Sequence, residues 1–146
     1  SKTMLNSFKK LSKKINEKFK PKKFLEIGSN DGAFIKNFSI KKAICVEPCS
    51  NLAKITKKKV YFTYNNYWNF NLARNIKNKF NKIDVIYSSN TLTHINDLDD
   101  VFKSISHVLD ENGILIIEDP SFSNLNGIHV KFLKACKKDS LFIFGK

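Results

Sequence analysis

The chain alternates short apolar runs with segments in which apolar residues recur every three or four positions. Continuous apolar runs are typical of strands buried on both faces, and the periodic segments are typical of helices packed on one face. The pattern predicts an α/β fold, a Rossmann-like doubly wound parallel sheet flanked by helices that is truncated after about strand five. Strands are predicted over 23–28, 43–47, 60–62, 83–87 and 114–117, and helices over 3–20, 32–38, 50–58, 69–80 and 98–109, with 141–144 as one more candidate strand.

The first predicted helix, residues 3–20, is amphipathic and basic. Leu5, Phe8 and Ile15 fall on one face, and lysines occupy the other. Pro21 ends the helix because proline restricts the residue before it. Packing against the sheet near a ligand site is favoured over a helix lying on a membrane surface.

Length and composition indicate one globular domain, residues 1–146. Within it, 1–20 form the N-terminal helix, 23–121 the core, and 122–146 a helix with a short strand. No apolar run reaches the roughly 20 residues that span a bilayer, and no signal-peptide core is present, so a cytoplasmic location is expected. The three cysteines form no Cys-x-x-Cys, and no metal site is expected.

The net charge of +13 favours anionic partners, but the identity of the basic residues argues against nucleic acid as the main partner. Of the 26 basic residues only Arg74 is arginine. Arginine is the residue that specific nucleic-acid sites prefer. Abundant lysine, asparagine and isoleucine instead indicate a coding bias towards A and T.

A glycine-rich loop follows the first strand, with the pattern Glu-x-Gly-x-x-x-Gly over 26–32. Gly28 allows a sharp turn, and Gly32 allows a close approach to a ligand. The spacing differs from the dinucleotide Gly-x-Gly-x-x-Gly. Glu47 ends the second strand, about 20 residues on, where a carboxylate accepts hydrogen bonds from a ribose diol. Together these residues predict a site for a nucleotide-like cofactor.

The loop resembles the first motif of class I S-adenosylmethionine-dependent methyltransferases. Residues 46–53, 84–97 and 113–120 resemble segments of the nucleotide-sugar C-methyltransferases, so the resemblance covers 23–121. It implies S-adenosyl-L-methionine as cofactor and a nucleotide-linked sugar as acceptor. The implied cofactor-binding residues are Glu26, Gly28, Ser29, Asn30, Gly32, Glu47, Pro48, Ser89 and Asn90; the implied catalytic residues are His94 and Asn90.

Several of these residues also have a purely structural interpretation. Asn30 and Asp31 are common turn formers, and Asn90 could cap the segment that follows it. His94 could be a packed, hydrogen-bonded histidine. Asn65, Tyr67 or Trp68 could flank an adenine ring, although the two aromatic residues are more often core or rim residues.

The sequence departs from the sugar family after Pro120. The family's Tyr-x-Glu-His block, which supplies the expected base, is not found there, and His129 is the only titratable candidate. The family's zinc-binding cysteine cluster and sugar-binding domain are also missing. The alternatives are therefore a non-catalytic or truncated cofactor-binding remnant or partner subunit, and a nucleic-acid methyltransferase. The second is disfavoured because Ser88–Thr91 stands where Asn/Asp-Pro-Pro-Tyr/Phe is usual. A homodimer through an exposed fifth-strand edge is a further hypothesis.

Overall fold

The computed structural model describes residues 1–39, 41–60 and 62–118, together with the backbone of 141–144. These residues fall into two compact units, residues 1–67 and residues 68–146, called here the first and the second unit. The C-terminal helix expected within 122–146 lies outside the described residues, and so do residues 119–140, which include His129.

The first unit is a three-stranded parallel sheet with helices. Its elements are α1 (Lys2–Phe19), β1 (Phe24–Ile27), β2 (Ala43–Val46), α2 (Ser50–Thr56) and β3 (Phe62–Tyr64). The strand order is β3-β2-β1, and β1 and β2 are buried along their whole length. Helix α1 buries Ile15 and places Phe8 against Phe34, with ring centroids 5.4 Å apart. The apolar face of α1 is therefore packed within the first unit, in line with the interpretation that the sequence analysis favoured.

The helix expected over 32–38 is wrong, because only the 3-10 turn Ile35–Asn37 forms there. The Asn37 side-chain amide donates to the carbonyls of Ala33 and Phe34, at 3.3 and 2.8 Å, and so competes for acceptors that a continuing helix would use. Phe38 is already extended, and its ring stacks on Phe24 with centroids 3.9 Å apart. Aromatic packing therefore fixes this segment in place of helical bonding.

The second unit contains the remaining elements. They are α3 (Phe70–Phe80), β4 (Ile83–Ser89), the 3-10 turn Leu92–His94, α4 (Leu98–Val108), β5 (Leu109–Glu118) and β6 (Leu141–Phe144). The strands are parallel in the order β4-β5-β6. Asp97 caps α4 as expected, since its carboxylate accepts the N–H of Asp100 at 2.9 Å.

Two boundaries in the second unit differ from the expected ones. Helix α4 ends at Val108, and β5 begins at Leu109, which pairs with Ile83 before an irregularity restores the register at Val85 and Ile114. Residues 115–118 of β5 pair with β6. The fifth-strand edge on which the homodimer hypothesis rested is therefore covered by the chain itself.

Both units confirm the predicted fold class, a parallel sheet flanked by helices. The strand predicted over 60–62 is displaced, since β3 occupies Phe62–Tyr64. Among the described residues, no helix combines the length and apolar character needed to cross a membrane.

Candidate functional site

The glycine-rich loop of the first unit has the backbone conformation that its glycines permit. Gly28 and Gly32 have φ values of 77° and 76°, and Asn30 lies in the left-handed region at 52°. A Cβ added to Gly32 would lie 3.3 Å from side-chain atoms of Thr56 and Lys59. The close approach predicted at Gly32 is thus an approach to the chain's own α2 and the residues after it.

The backbone N–H groups of the loop are all satisfied within the first unit. Gly28 and Ser29 donate to the Val46 carbonyl at 2.8 and 3.2 Å, and Gly32 donates to the Ser29 carbonyl at 2.9 Å. The N–H of Asp31 reaches the Asn30 side chain at 2.8 Å, and that of Ala33 reaches the Asp31 carboxylate at 3.0 Å. The remaining one, of Asn30, bonds to Glu47 at 2.7 Å. A loop with this bonding has no free N–H groups for a phosphate, unlike a phosphate-binding loop.

The loop carbonyls are held as well. The Thr56 hydroxyl donates to the Asn30 carbonyl, and the Lys59 ammonium donates to the Asp31 carbonyl, both at 2.7 Å. Asn30 and Asp31 therefore act as turn formers, which was the structural interpretation of these residues. Thr56 and Lys59 escaped the sequence analysis, because nothing in a helical segment signals that it anchors a loop 26 or 28 residues earlier.

Glu26 is a buried carboxylate on β1, with 4% of its surface exposed. Its Oε2 atom has no hydrogen-bond partner among the described residues. Burial raises the pKa of Glu26 well above its ordinary value, the backbone N–H of Ile35 opposes the rise, and the carboxylates of Asp31 and Glu47 add to it. A buried acid of this kind is stabilised by a ligand that brings a positive charge and hydrogen-bond donors.

Glu47, at the end of β2, is 6% exposed and accepts two backbone hydrogen bonds. Its Oε2 accepts the N–H of Asn30 at 2.7 Å, and its Oε1 accepts the N–H of Cys49 at 2.9 Å. A carboxylate has about four acceptor positions, so about two remain. Glu47 thus joins the glycine-rich loop to the β2–α2 turn and keeps capacity for further donors.

Asn65 holds the same turn from the other side. Its side-chain amide donates to the carbonyls of Glu47 and Pro48, both at 2.9 Å, and its oxygen accepts the Ser50 hydroxyl at 2.9 Å. Pro48 is half-buried within this turn. The bonds assign Asn65 a role in shaping the turn, whereas the sequence analysis considered it only as a flank for an adenine ring.

Two cysteines and Ser29 lie around these carboxylates. Cys45 is buried on β2, and burial raises the pKa of its thiol, with a smaller contribution from the Glu26 carboxylate and an opposing one from the Ser29 hydroxyl. Ser29 is itself buried, at 2% exposure. Cys49 is exposed at the start of α2. In the described parts of the chain, no group of histidine, cysteine and acidic side chains has the arrangement to hold a metal ion.

Trp68 is a core residue, which is the interpretation that the sequence analysis favoured over a role in flanking an adenine ring. Trp68 is only 4% exposed, and its indole N–H donates to the Val101 carbonyl at 3.2 Å within the second unit. It is a core residue whose polar atom is satisfied. Tyr67, in contrast, is 72% exposed.

The other predicted site residues lie in the second unit, at and after the carboxyl end of β4. Ser89 is half-buried, and its hydroxyl accepts a bond from the Asn90 side chain at 3.2 Å. Asn90 has φ 49° and is held by a bond from its N–H to the Glu118 carbonyl at 3.0 Å. His94 is exposed at the end of the 3-10 turn Leu92–His94. Asn90 does not cap that turn, because Thr91 is the residue that precedes it and makes no side-chain cap bond.

A tyrosine–carboxylate pair at the ends of β4 and β5 was not predicted. The hydroxyl of Tyr87, which is fully buried, donates to Glu118 Oε2 at 2.6 Å. Glu118 pairs in register with Ser89, so a half-buried carboxylate lies beside the residues predicted on β4. The sequence signal was available, since an acid ends the predicted fifth strand just as Glu47 ends the second.

Comparison with known proteins identifies the family and the fold of the chain. A family model described as a methyltransferase domain matches residues 2–139. No curated protein is significantly similar to the chain. Solved structures of similar fold include the plantazolicin methyltransferase BpumL bound to a pentazolic desmethylPZN analogue and SAH, which is 16% identical with a TM-score of 0.60, over 93% of this chain and 57% of that one.

Two further solved structures have a similar fold. A S-adenosylmethionine-dependent methyltransferase from Clostridium acetobutylicum ATCC 824 is 16% identical, with a TM-score of 0.58, over 77% of this chain and 49% of that one. DesVI of Streptomyces venezuelae is 12% identical, with a TM-score of 0.57, over 79% of this chain and 50% of that one. The chain thus spans about half the length of these proteins, and the likeness concerns the fold. Because the family model covers nearly all of the sequence, the chain belongs to the methyltransferase domain family.

Proposed function

We propose that the chain binds S-adenosylmethionine through its first unit and transfers the methyl group to a small, sugar-like acceptor. The observation that carries the proposal is the bonding of the glycine-rich loop. Its N–H groups are used internally, while the carboxylates of Glu26 and Glu47 retain acceptor capacity. Such a site suits a ligand that brings donors and positive charge, and it suits a pyrophosphate poorly.

Glu26 fits the amino-acid end of this cofactor. The α-ammonium group carries a positive charge and three donors, which is what a buried carboxylate oxygen without a partner lacks. Gly28, Ser29, Asn30 and Gly32 would shape the adjoining wall through the loop conformation described above. Because burial raises the pKa of Glu26, binding of the ammonium group should also favour release of a proton from this carboxyl.

Glu47 fits the ribose. Two of its roughly four acceptor positions are used by backbone N–H groups, so about two remain for the two hydroxyls of a ribose. Pro48, in the turn that Asn65 holds, would border the adenine. The fixed turn would orient the nucleoside without any need to order the protein first.

When bound, the cofactor supplies an electrophilic methyl group on a sulfonium. The chain's own contribution to transfer would be to hold donor and acceptor in line and to accept a proton from the acceptor. Asn90 and His94 of the second unit stay the predicted residues for these tasks, with Ser89 beside them. The choice of a sugar acceptor and of a carbon as the methylated atom rests on the resemblance of residues 46–53, 84–97 and 113–120.

The first experiment is calorimetric titration of the chain with S-adenosylmethionine and its demethylated product, on the native protein and on Glu26→Gln. Glutamine keeps the shape of the side chain but can place an NH₂ group where the cofactor's ammonium needs an acceptor. Loss of one hydrogen bond to a charged group, about 1.5–3 kcal/mol, corresponds to roughly 10- to 100-fold weaker binding.

The matched control is Glu17→Gln, the same side-chain replacement at an exposed position on α1. It should leave affinity for both ligands unchanged. Absence of binding by a folded native chain, or equal affinity of Glu26→Gln and the native protein, would refute the proposed site. Binding without turnover on any sugar-like acceptor would instead favour the cofactor-binding remnant.

A further inference from the structure

Nearly all of the net charge of the chain is in the first unit. Residues 1–67 contain 16 lysines and four acidic residues, a net charge of +12, whereas residues 68–146 contain ten basic and nine acidic residues, a net charge of +1. A coding bias towards lysine alone would not confine the imbalance to one unit. The first unit therefore carries a positive field that the second lacks.

The four acidic residues of the first unit do little to offset this field at its surface. Glu26 and Glu47 are buried, and Asp31 is half-buried in the glycine-rich loop. Glu17 is exposed, and Lys13 lies 3.8 Å from it. Most of the lysines of this unit are exposed to solvent.

Three of these lysines line one cleft, called here the lysine cleft. Its cavity has a volume of about 280 Å³, close to the lower end of the range of roughly 300–1,000 Å³ that is usual for small-ligand sites. One wall comes from one face of α1 and the other from the segment that follows the glycine-rich loop. Its lining residues are Lys2, Leu5, Asn6, Lys9, Ala33, Lys36 and Asn37.

The composition of the lysine cleft indicates the charge of its ligand. It has three ammonium groups, two amides and no carboxylate. Like charges gathered in a concave surface repel one another, and an anion bound among them relieves that repulsion. The Asn37 side chain is fixed by its bonds to the Ala33 and Phe34 carbonyls, so part of the wall is rigid. Leu5 and Ala33 add an apolar surface beside the charges.

A neighbouring cleft provides a contrast. It is larger, about 370 Å³, and shares Lys9 and Asn37, but its lining includes the carboxylate of Glu17 beside Lys13. An acid in the wall disfavours an anion, so the same lysine-rich helix forms one cleft suited to an anion and one that is not.

We propose that the lysine cleft binds the phosphate or diphosphate group of a small molecule, with Lys2, Lys9 and Lys36 as the anion-binding residues. Assigning that group to the methyl acceptor rests on the proposed function, whereas the anion site itself does not. A phosphorylated acceptor and a nucleic-acid strand both present phosphate, and the experiment separates them.

The test is calorimetric titration with inorganic pyrophosphate at about 0.15 M ionic strength, where the screening length is about 8 Å. The variant Lys2→Gln/Lys9→Gln/Lys36→Gln is compared with Lys10→Gln/Lys14→Gln/Lys54→Gln, which removes the same charge from exposed positions outside the cleft. We expect saturable binding that weakens at least 10-fold in the cleft variant and less than 2-fold in the control.

Equal weakening in the two variants, or no saturable binding to the native chain, would overturn the proposal. A single-stranded oligonucleotide provides the second arm: if it displaces pyrophosphate and depends on all six lysines alike, the surface is a general polyanion surface and not a small-molecule site. If the cleft variant fails to fold, the single substitution Lys36→Gln is compared with Lys54→Gln in its place.

Titration of the same samples with S-adenosylmethionine separates this proposal from the proposed function. Cofactor affinity should be equal in the native chain and in both variants. If pyrophosphate binds as expected but the cofactor binds to none of the three, the proposed function fails and the anion site stands. If the cofactor binds and pyrophosphate does not, the anion site fails and the proposed cofactor site stands.

Discussion

Replacing Glu47 by glutamine should destabilise the chain in the absence of any ligand. The carboxylate accepts two backbone N–H groups, from Asn30 at 2.7 Å and from Cys49 at 2.9 Å, while only 6% exposed. Glutamine offers one oxygen and one NH₂ group, so one of these N–H groups would face a donor. Loss of one bond to a charged acceptor contributes about 1.5–3 kcal/mol, and a backbone N–H left unsatisfied adds about 1–3 kcal/mol.

The lower part of that range applies here. Asn30 and Cys49 are exposed residues, and water can reach part of what the carboxylate releases. We therefore expect the free energy of unfolding to fall by about 2.5–3 kcal/mol, close to the sum of the two lower limits. Glu17→Gln, which removes a charge from an exposed residue near Lys13, should change it by less than about 1 kcal/mol.

Urea denaturation followed by circular dichroism, without cofactor, measures both variants. A Glu47→Gln protein within about 0.5 kcal/mol of the native chain would refute the reasoning, because Glu47 could then not be what joins the loop to the β2–α2 turn. The result also bears on how cofactor binding is tested. A loss of affinity on changing Glu47 would combine a lost ribose contact with a loosened loop, which is why Glu26→Gln is the cleaner variant.

Three further predictions concern single side chains. Burial raises the pKa of Glu26 above its ordinary 4.5, so the unfolded chain loses this proton at a lower pH than the native chain does. The free energy of unfolding of the native protein should therefore fall above about pH 4.5 relative to that of Glu26→Gln. Plots of the free energy of unfolding against pH from 4 to 8 that run parallel for the two proteins would contradict this. Trp68→Phe should lower the free energy of unfolding by about 1–2 kcal/mol and leave cofactor affinity unchanged, and weaker binding in calorimetry would argue for a ligand contact. Alkylation of the folded chain, followed by peptide mass spectrometry, should modify exposed Cys49 and spare Cys45, whose thiol is buried and has a raised pKa. S-adenosylmethionine should slow the reaction at Cys49. Modification of both cysteines at equal rates would contradict the burial of Cys45.

The fold class could be predicted from the sequence because the buried strands are recognisable as continuous runs of apolar residues. The four residues of β1 and of β2 are all buried, and runs such as Phe24–Ile27 therefore consist almost entirely of apolar residues. The prediction of secondary structure failed where side-chain contacts take the place of the backbone hydrogen bonds of a helix. Nothing in the periodicity of 32–38 shows that the Asn37 side chain bonds to two backbone carbonyls or that Phe38 packs into the core against Phe24.

The acidic residues of the candidate site could be predicted from the sequence, but the residues that hold the loop and the turn in place could not. Glu26 and Glu47 follow from strand ends and spacing, which are local features of the chain. Thr56, Lys59 and Asn65 act on the loop and turn through contacts between segments distant in sequence, which no local pattern encodes. Trp68 lies in the core, as the sequence analysis favoured, because a large aromatic ring is more often buried than left exposed as a platform for a ligand.

The internally bonded loop has a consequence for rates. Because its N–H groups and the carbonyls of Ser29, Asn30 and Asp31 are already bonded, a ligand arriving at the loop does not have to order it. Association should then be similar for S-adenosylmethionine and its demethylated product, and their difference in affinity should be found almost wholly in the dissociation rates. The residence time of each ligand, and not the speed of its capture, would then be what distinguishes fresh cofactor from demethylated product at this site.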